Sequence, residues 1–182
     1  MNDLAFLTAA RADLPDYLLS DTLFWQLSAP SDFPKLSLGY VLLTRARLAA
    51  TSSQLTPAQQ TELAQTTQAL DALFAQKPVA AEKKATQELR SRLNLWSQFL
   101  DDCVEDQQSC VESYPHEVTQ RVIATLLLTQ FPRVGDAPEA VRLTSLDARL
   151  RGRLTPGAFL WPGELQRAFP EKEFWFLYGR LK

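Results

Sequence analysis

The chain has 182 residues, of which 46% are hydrophobic and 10% aromatic, so it can bury a sizeable core, which excludes the disordered and fibrous classes. Its 19 Lys and Arg against 21 Asp and Glu give a net charge of −2, too small to draw the whole molecule to nucleic acid or an anionic membrane. No apolar run in the sequence approaches the roughly 18 residues of a membrane span. The N-terminus also lacks a basic leader, so we expect a cytoplasmic protein with no membrane contact.

Helix signals run along most of the chain. Hydrophobic periodicity and capping residues predict helices near 3–11, from about 14, near 35–51, 57–77, 80–113, 116–130 and 137–152. The best-marked start is Thr56-Pro57-Ala58-Gln59, because the hydroxyl and the amide can each satisfy a free backbone N–H, while proline suits the first turn. Asp136-Ala137-Pro138-Glu139 indicates a start by the same logic.

The predicted long helix carries an apolar seam, the pattern of a helix that packs on partner helices. Its members recur at alternating steps of four and three residues: Leu89, Leu93, Trp96, Leu100, Cys103, Gln107, Cys110 and Tyr114. Lys77-Pro78 separates this helix from the one before it. We therefore expect the helices on either side of Lys77-Pro78 to form a long antiparallel hairpin.

Two cysteines, Cys103 and Cys110, lie on this seam. If they share one helix, their separation of seven residues corresponds to a rise of about 10.5 Å, whereas a disulfide requires Cα atoms roughly 4.4–6.8 Å apart. We therefore predict no disulfide, which agrees with a reducing compartment. The sole histidine, His116, could activate a nearby thiol, but a small apolar role in the seam is the favoured interpretation of both cysteines.

The sequence changes character after Gly152. Thr155-Pro156-Gly157 and Trp161-Pro162-Gly163 indicate turns, and residues 159–182 hold seven of the 18 aromatic residues. We expect a compact tail of short helical turns folded over the helices. A strand at 174–178 is the alternative.

The predicted fold is therefore all-α. We expect a single domain over 1–182, with a bundle of about six to seven helices around the long antiparallel hairpin. The bundle spans 1–154, and a short aromatic-rich C-terminal cap spans 155–182 and packs on it. We call residues 155–182 the aromatic cap.

The aromatic cap offers a candidate interaction surface. A short segment cannot easily bury every large ring that it carries, because neighbouring residues point in different directions. Exposed Trp and Tyr residues are favoured anchors of protein interfaces. The interaction candidates are Trp161, Phe174, Trp175 and Tyr178. The alternative, slightly favoured, is that these rings close the open end of the bundle.

A row of arginines offers a candidate anion-binding site. Arg142, Arg149 and Arg153 lie along one side of the predicted helix 137–152, and guanidinium groups match phosphate oxygens in bidentate geometry. Pairing of this row with Asp102 and Asp106 is the favoured alternative. The chain is acidic overall and no aromatic residue is interleaved with the arginines, so we expect no nucleic-acid partner.

Acidic residues concentrate between Asp101 and Glu117, where there are six and no Lys or Arg. Asp102, Glu105 and Asp106 are weak candidates for metal ligands. A hard cation such as Mg²⁺ needs carboxylates that converge from more than one element, and here a single helix supplies them. A solvated and partly ion-paired helix face is therefore the favoured interpretation.

Motifs typical of catalysis are missing from the sequence, which has no glycine-rich phosphate loop, no nucleophile elbow and no CxxC pair. We therefore name no catalytic residue and no cofactor. The predicted function is that of a non-catalytic helical interaction or adaptor protein, which binds a protein partner or a second copy of itself through the aromatic cap. Phosphate or nucleic-acid binding and a carboxylate-metal hydrolase activity are the alternatives.

Overall fold

The computed structural model of the chain describes residues 2–29, 33–136 and 138–182. The predicted all-α class is confirmed, because seven α-helices dominate these ranges and the strands found there form one two-stranded sheet. The chain divides into two compact units, Met1–Glu88 and Leu89–Lys182. The predicted single domain, with its boundary at 154, stays a prediction.

The first unit is built from helices that share one apolar core. Its elements are α1 (Asp3–Leu19), α2 (Leu38–Ala50), a 3-10 turn (Ser52–Gln54), α3 (Pro57–Gln76) and the first part of α4 (Pro78–Glu105). Helix α1 packs on both α2 and α3. Side chains of α1 such as Phe6, Leu7 and Tyr17 are fully buried there.

Helix starts in the first unit follow the capping residues of the sequence. Thr56 and Gln59 form the predicted capping box at the start of α3. The predicted division of the first 19 residues into two helices is wrong, because α1 runs unbroken through Pro15. Buried leucines on both sides of Pro15, Leu7 and Leu18 among them, keep the apolar face continuous. Packing of that face outweighs the one helix hydrogen bond that the proline removes.

The second unit contains the remainder of α4 and everything after it. Its further elements are α5 (Gln107–Gln130), a 3-10 turn (Pro132–Asp136), α6 (Pro138–Arg151), β1 (Leu154–Phe159), a 3-10 turn (Gly163–Ala168), α7 (Glu171–Phe174), a 3-10 turn (Trp175–Leu177) and β2 (Tyr178–Leu181). The predicted first residue of the 137–152 helix, Ala137, lies outside the described residues.

Helices α4 and α5 form an antiparallel hairpin that turns at Asp106. The rings of Phe99 and Tyr114 stack with centroids 6.3 Å apart, and Arg92 donates a hydrogen bond of 3.0 Å to Gln120. Both pairs are nearly symmetric about Asp106, as an antiparallel arrangement requires. The predicted single helix over 80–113 is therefore wrong, since α4 ends at Glu105 and the next helix begins at Gln107 rather than near 116. We call the turn at Asp106 the elbow.

The aromatic cap contains more than the predicted helical turns. Strands β1 and β2 pair antiparallel, with Leu154 opposite Leu181 and Phe159 opposite Tyr178. Residues 174–178 are helical as far as Leu177, and the strand begins only at Tyr178. The strands approach closely at Gly179, where a Cβ atom would lie 2.7 Å from the Thr155 carbonyl oxygen. A side chain at this position would push the two strands apart.

Candidate functional site

The two cysteines form a disulfide at the elbow, so the prediction of unpaired cysteines is wrong. The Cα atoms of Cys103 and Cys110 lie 5.3 Å apart. The predicted separation assumed one continuous helix, but the chain reverses at Asp106, between the two cysteines. Asp106 caps α5 by accepting a hydrogen bond of 3.0 Å from the Ser109 N–H. This cap is the sequence signal that the helical periodicity concealed.

Two cavities of opposite charge border the disulfide. The first, which we call the acidic groove, has a volume of about 320 Å³, and its lining includes Leu95, Phe99, Asp102, Asp106, Cys110 and Glu117. The second, which we call the basic cavity, has a volume of about 270 Å³, and its lining includes Cys103, Cys110, Gly152, Arg153, Leu181 and Lys182. Cys110 therefore lines both cavities, one with acidic and one with basic side chains, whereas Cys103 lines only the basic cavity.

The three carboxylates predicted as weak metal ligands all lie near the elbow. Asp102, Glu105 and Asp106 are exposed, and Asp106 is engaged as the cap of α5. Within the described ranges, no group of three or more His, Cys, Asp or Glu side chains is arranged to hold a metal ion. These carboxylates therefore supply negative charge to the elbow rather than a built coordination shell.

The predicted arginine row contacts helix α4. Arg149 pairs with Asp101 at 2.6 Å, Arg142 donates to the Asn94 side chain, and Arg153 donates at 3.5 Å to the Leu100 carbonyl oxygen. The partner carboxylate is Asp101, not the expected Asp102 or Asp106. Each of the three guanidinium groups therefore has a donor directed to a group of the chain itself, and phosphate binding by the row stays a prediction.

Two other ion pairs of α6 were not anticipated from the sequence. Glu139 accepts a hydrogen bond of 2.7 Å from the Arg90 guanidinium, which holds the pKa of this carboxyl below its usual range. Arg121 on α5 donates to both carboxylate oxygens of Asp147, at 2.7 and 2.8 Å. No spacing rule relates residues that meet through tertiary packing, so a single sequence could not indicate these pairs.

The aromatic cap packs mainly on α5. The Tyr114 hydroxyl donates a hydrogen bond of 2.6 Å to the Phe176 carbonyl oxygen, and burial raises the pKa of this tyrosine. The Arg121 guanidinium lies over the Phe176 ring at 4.4 Å from its centroid. Phe169 and Phe176 are fully buried. The cap therefore has a core of its own.

The four interaction candidates divide into one buried and three half-buried residues. Phe174 is 6% exposed and packs edge-on against Phe169. Trp161, Trp175 and Tyr178 are half-buried.

Each half-buried ring is held by a contact within the chain. The Trp161 indole donates a hydrogen bond of 3.0 Å to the Pro115 carbonyl oxygen. The Tyr178 hydroxyl donates at 2.8 Å to the Phe169 carbonyl oxygen. The Arg151 guanidinium lies 3.8 Å from the centroid of the Trp175 ring. The rings are therefore fixed in position while part of each remains accessible.

The lone histidine does not form a reactive pair with a thiol. His116 is exposed on α5. Both cysteines are consumed by the disulfide, so the described residues include no free thiol that this imidazole could activate.

The first unit holds two buried charges on α4, Lys84 and Glu88. The Glu88 carboxylate accepts hydrogen bonds of 2.7 Å from the Ser37 hydroxyl and 2.8 Å from the Gly39 N–H, at the start of α2. Lys84 donates at 2.6 Å to the Thr22 carbonyl oxygen. Burial lowers the pKa of this lysine. Both groups bind chain segments, so their role is structural.

No protein-family model, curated protein or solved structure matches the chain. None of the helices in the described ranges is both long and apolar enough to cross a membrane. The candidate sites therefore rest on geometry and chemistry alone.

Proposed function

We propose that the protein is a non-catalytic interaction protein that binds a protein partner, or a second copy of itself, through Trp161, Trp175 and Tyr178. The observation that carries this proposal is that all three residues are partly exposed and yet fixed by contacts within the chain. Tryptophan and tyrosine dominate binding hot spots. A ring that is already immobilised loses little conformational entropy when a partner covers it.

Phe174 is left out of the proposed contact surface because it is buried against Phe169. Phe174 packs on Phe169 and Phe176, and these two rings in turn contact Trp161 and Trp175. We do not propose phosphate binding by the arginine row or metal binding by the carboxylates at the elbow, since Arg149 is paired with Asp101 and the described residues offer no metal cluster.

The test compares tagged baits in a capture from nuclease-treated lysate of the source organism, read by quantitative mass spectrometry. Trp175→Ala should lower recovery of a specific partner by about 30-fold, the loss expected for a hot spot of about 2 kcal/mol. Val141→Ala, which truncates an exposed apolar side chain on α6, is the matched control. Equal recovery by the wild type and Trp175→Ala would contradict the proposal.

The cytoplasmic location stays a prediction, and the argument for it from unpaired cysteines is lost. It depended partly on reduced cysteines, whereas Cys103 and Cys110 are paired. Disulfides persist mainly in oxidising compartments. We therefore propose that the protein meets oxidising conditions, and alkylation of the chain in intact cells, followed by mass spectrometry, measures how much of it is oxidised there.

A further inference from the structure

The disulfide at the elbow borders a cavity. Cys103 and Cys110 are 6% and 5% exposed, and both border the basic cavity of about 270 Å³. A disulfide sealed in a core touches no cavity and is reduced only after unfolding. This one has a space beside it that is large enough for a small reagent or for the tip of a loop that carries a thiol.

The charge around the disulfide favours one direction of approach. The attacking species in thiol–disulfide exchange is the thiolate anion. Arg153 and Lys182 line the basic cavity and attract an anion, whereas Asp102, Asp106 and Glu117 line the acidic groove on the other side and repel it. An anionic thiol should therefore enter from the basic cavity.

The position of Cys110 makes it the better leaving group. It lies in the first turn of α5, a helix of 24 residues that begins after the cap Asp106. The positive end of the helix dipole stabilises an anionic leaving group there. After protonation, the thiol would find an acceptor, because the Phe99 carbonyl oxygen lies 3.9 Å from the Cys110 Sγ.

We propose that Cys103 and Cys110 form a reversible redox site whose reaction partner is an anionic thiol or dithiol that enters through the basic cavity. The partner's thiolate forms a bond to Cys103 Sγ while the Sγ–Sγ bond breaks and Cys110 Sγ takes the electron pair. A second thiolate of the partner then attacks the partner's own sulfur in this mixed disulfide and releases Cys103. The partner is oxidised by two electrons, and the two released cysteine thiolates each take up a proton.

The rest of the hairpin allows the fold to survive this reduction. The stacked rings of Phe99 and Tyr114 and the Arg92–Gln120 hydrogen bond join α4 to α5 independently of the sulfur atoms. Reduction therefore frees the elbow, where Leu181 at the end of β2 shares the basic cavity with both cysteines.

The experiment measures the rate of disulfide reduction by two small thiols of opposite charge, 2-mercaptoethanesulfonate and cysteamine. Freed thiols are alkylated and counted by mass spectrometry, and each rate is divided by the rate for the chain unfolded in urea. This division removes the difference in intrinsic reactivity between the reagents. The folded protein should favour the anionic thiol, and circular dichroism should show that the helices persist.

Matched variants locate the route of entry. Arg153→Gln removes a charge of the basic cavity and should slow the anionic reagent by about fivefold, the effect of one nearby unit charge in water. Arg180→Gln makes the same change at an exposed position of β2, outside the cavity lining. This variant should be reduced at the same rate as the wild type. In rapidly quenched samples, the mixed disulfide should be found on Cys103.

Three outcomes would overturn the proposal. The first is a disulfide that stays intact in the folded protein while the unfolded chain is fully reduced. The second is a preference for cysteamine, which would contradict entry through the basic cavity, or a mixed disulfide on Cys110, which would contradict its role as the leaving group. The third is failure of the disulfide to re-form when reduced protein, freed of dithiothreitol, is treated with oxidised glutathione, which would contradict reversibility.

Discussion

Glu139 lies in the first turn of α6, and its side chain is only 8% exposed although its partner Arg90 is 64% exposed. The hydrogen bond from Arg90 is the main reason that the pKa of this carboxyl is lowered from 4.5. A carboxyl whose pKa is lower in the folded chain than in the unfolded one stabilises the fold when ionised. This contribution is fully present above about pH 4.5 and is lost as the pH falls through the folded-state value.

Glu139→Gln should therefore destabilise the protein at pH 7 by about 1 kcal/mol, a value reduced by the exposure of Arg90. The difference from the wild type should be smaller at pH 3, where the wild-type carboxyl has begun to take up a proton as well. Urea unfolding midpoints at the two pH values measure this. A difference that is the same at both pH values would show that the charge of Glu139 is not the cause.

Cys103 and Cys110 show what helical spacing can and cannot predict about single residues. The seam that contains Cys103 and Cys110 is real, since both are buried. Helical spacing could not show that the chain reverses between them, because a seam looks the same whether its two halves lie end to end or side by side. Asp106, with its short acceptor side chain three residues before Ser109, was the local signal of a new helix start.

Buried and exposed ion pairs join the helices of the second unit. Arg121 and Asp147 connect α5 to α6 with side chains that are 7% and 19% exposed, whereas Arg149 and Asp101 connect α6 to α4 with side chains that are 39% and 63% exposed. Solvent screens the second pair, and loss of its carboxylate leaves a hydrated arginine. Loss of Asp147 leaves a guanidinium buried without its partner.

Asp147→Ala should lower the free energy of unfolding by about 3 kcal/mol. Asp101→Ala makes the same change in the exposed pair and should lower it by less than about 1 kcal/mol. Urea denaturation of both variants gives the comparison. Similar losses from the two variants would mean that burial does not distinguish these pairs.

The disulfide closes the elbow of the α4–α5 hairpin over a short loop. Cross-linking residues this close in sequence restricts the unfolded chain modestly, and the expected gain is about 2–3 kcal/mol. The double variant Cys103→Ala/Cys110→Ala should lose about that much stability and keep its helical circular dichroism. Wild-type protein under dithiothreitol should show the same loss. An unchanged unfolding midpoint in the double variant would contradict a stabilising role for the cross-link.

Elements with local signals were predictable, and those set by tertiary contacts were not. The Thr56–Gln59 capping box gave the start of α3 directly, because its signal lies within four consecutive residues. Strand β1 pairs with β2 between residues that are 19 to 27 positions apart in the sequence, and proline and glycine at 156 and 157 indicate only a turn. Trp161, Trp175 and Tyr178 could be predicted from the sequence as interaction candidates. The burial of Phe174 could not, because it depends on how the aromatic cap folds over α5.

At the scale of the whole molecule, the two units differ in what they offer a partner. The charged groups buried in the first unit, Lys84 and Glu88, bind the chain itself. The second unit carries both the redox-accessible elbow and the half-buried rings of the aromatic cap. Adjacent residues of that cap serve different purposes, since Phe174 belongs to its core whereas Trp175 is left partly open beneath Arg151.

Phe174 therefore belongs to the core of the aromatic cap, and its neighbour Trp175 belongs to the proposed contact surface. The most direct test of this difference compares the free energies of unfolding of Trp175→Ala and Phe174→Ala. Truncation of a buried aromatic residue costs about 3–5 kcal/mol, which we expect for Phe174→Ala. Trp175→Ala should cost less than about 2 kcal/mol, because part of its ring is already in water. Equal losses of about 3–5 kcal/mol would make Trp175 a core residue and contradict its assignment to a contact surface.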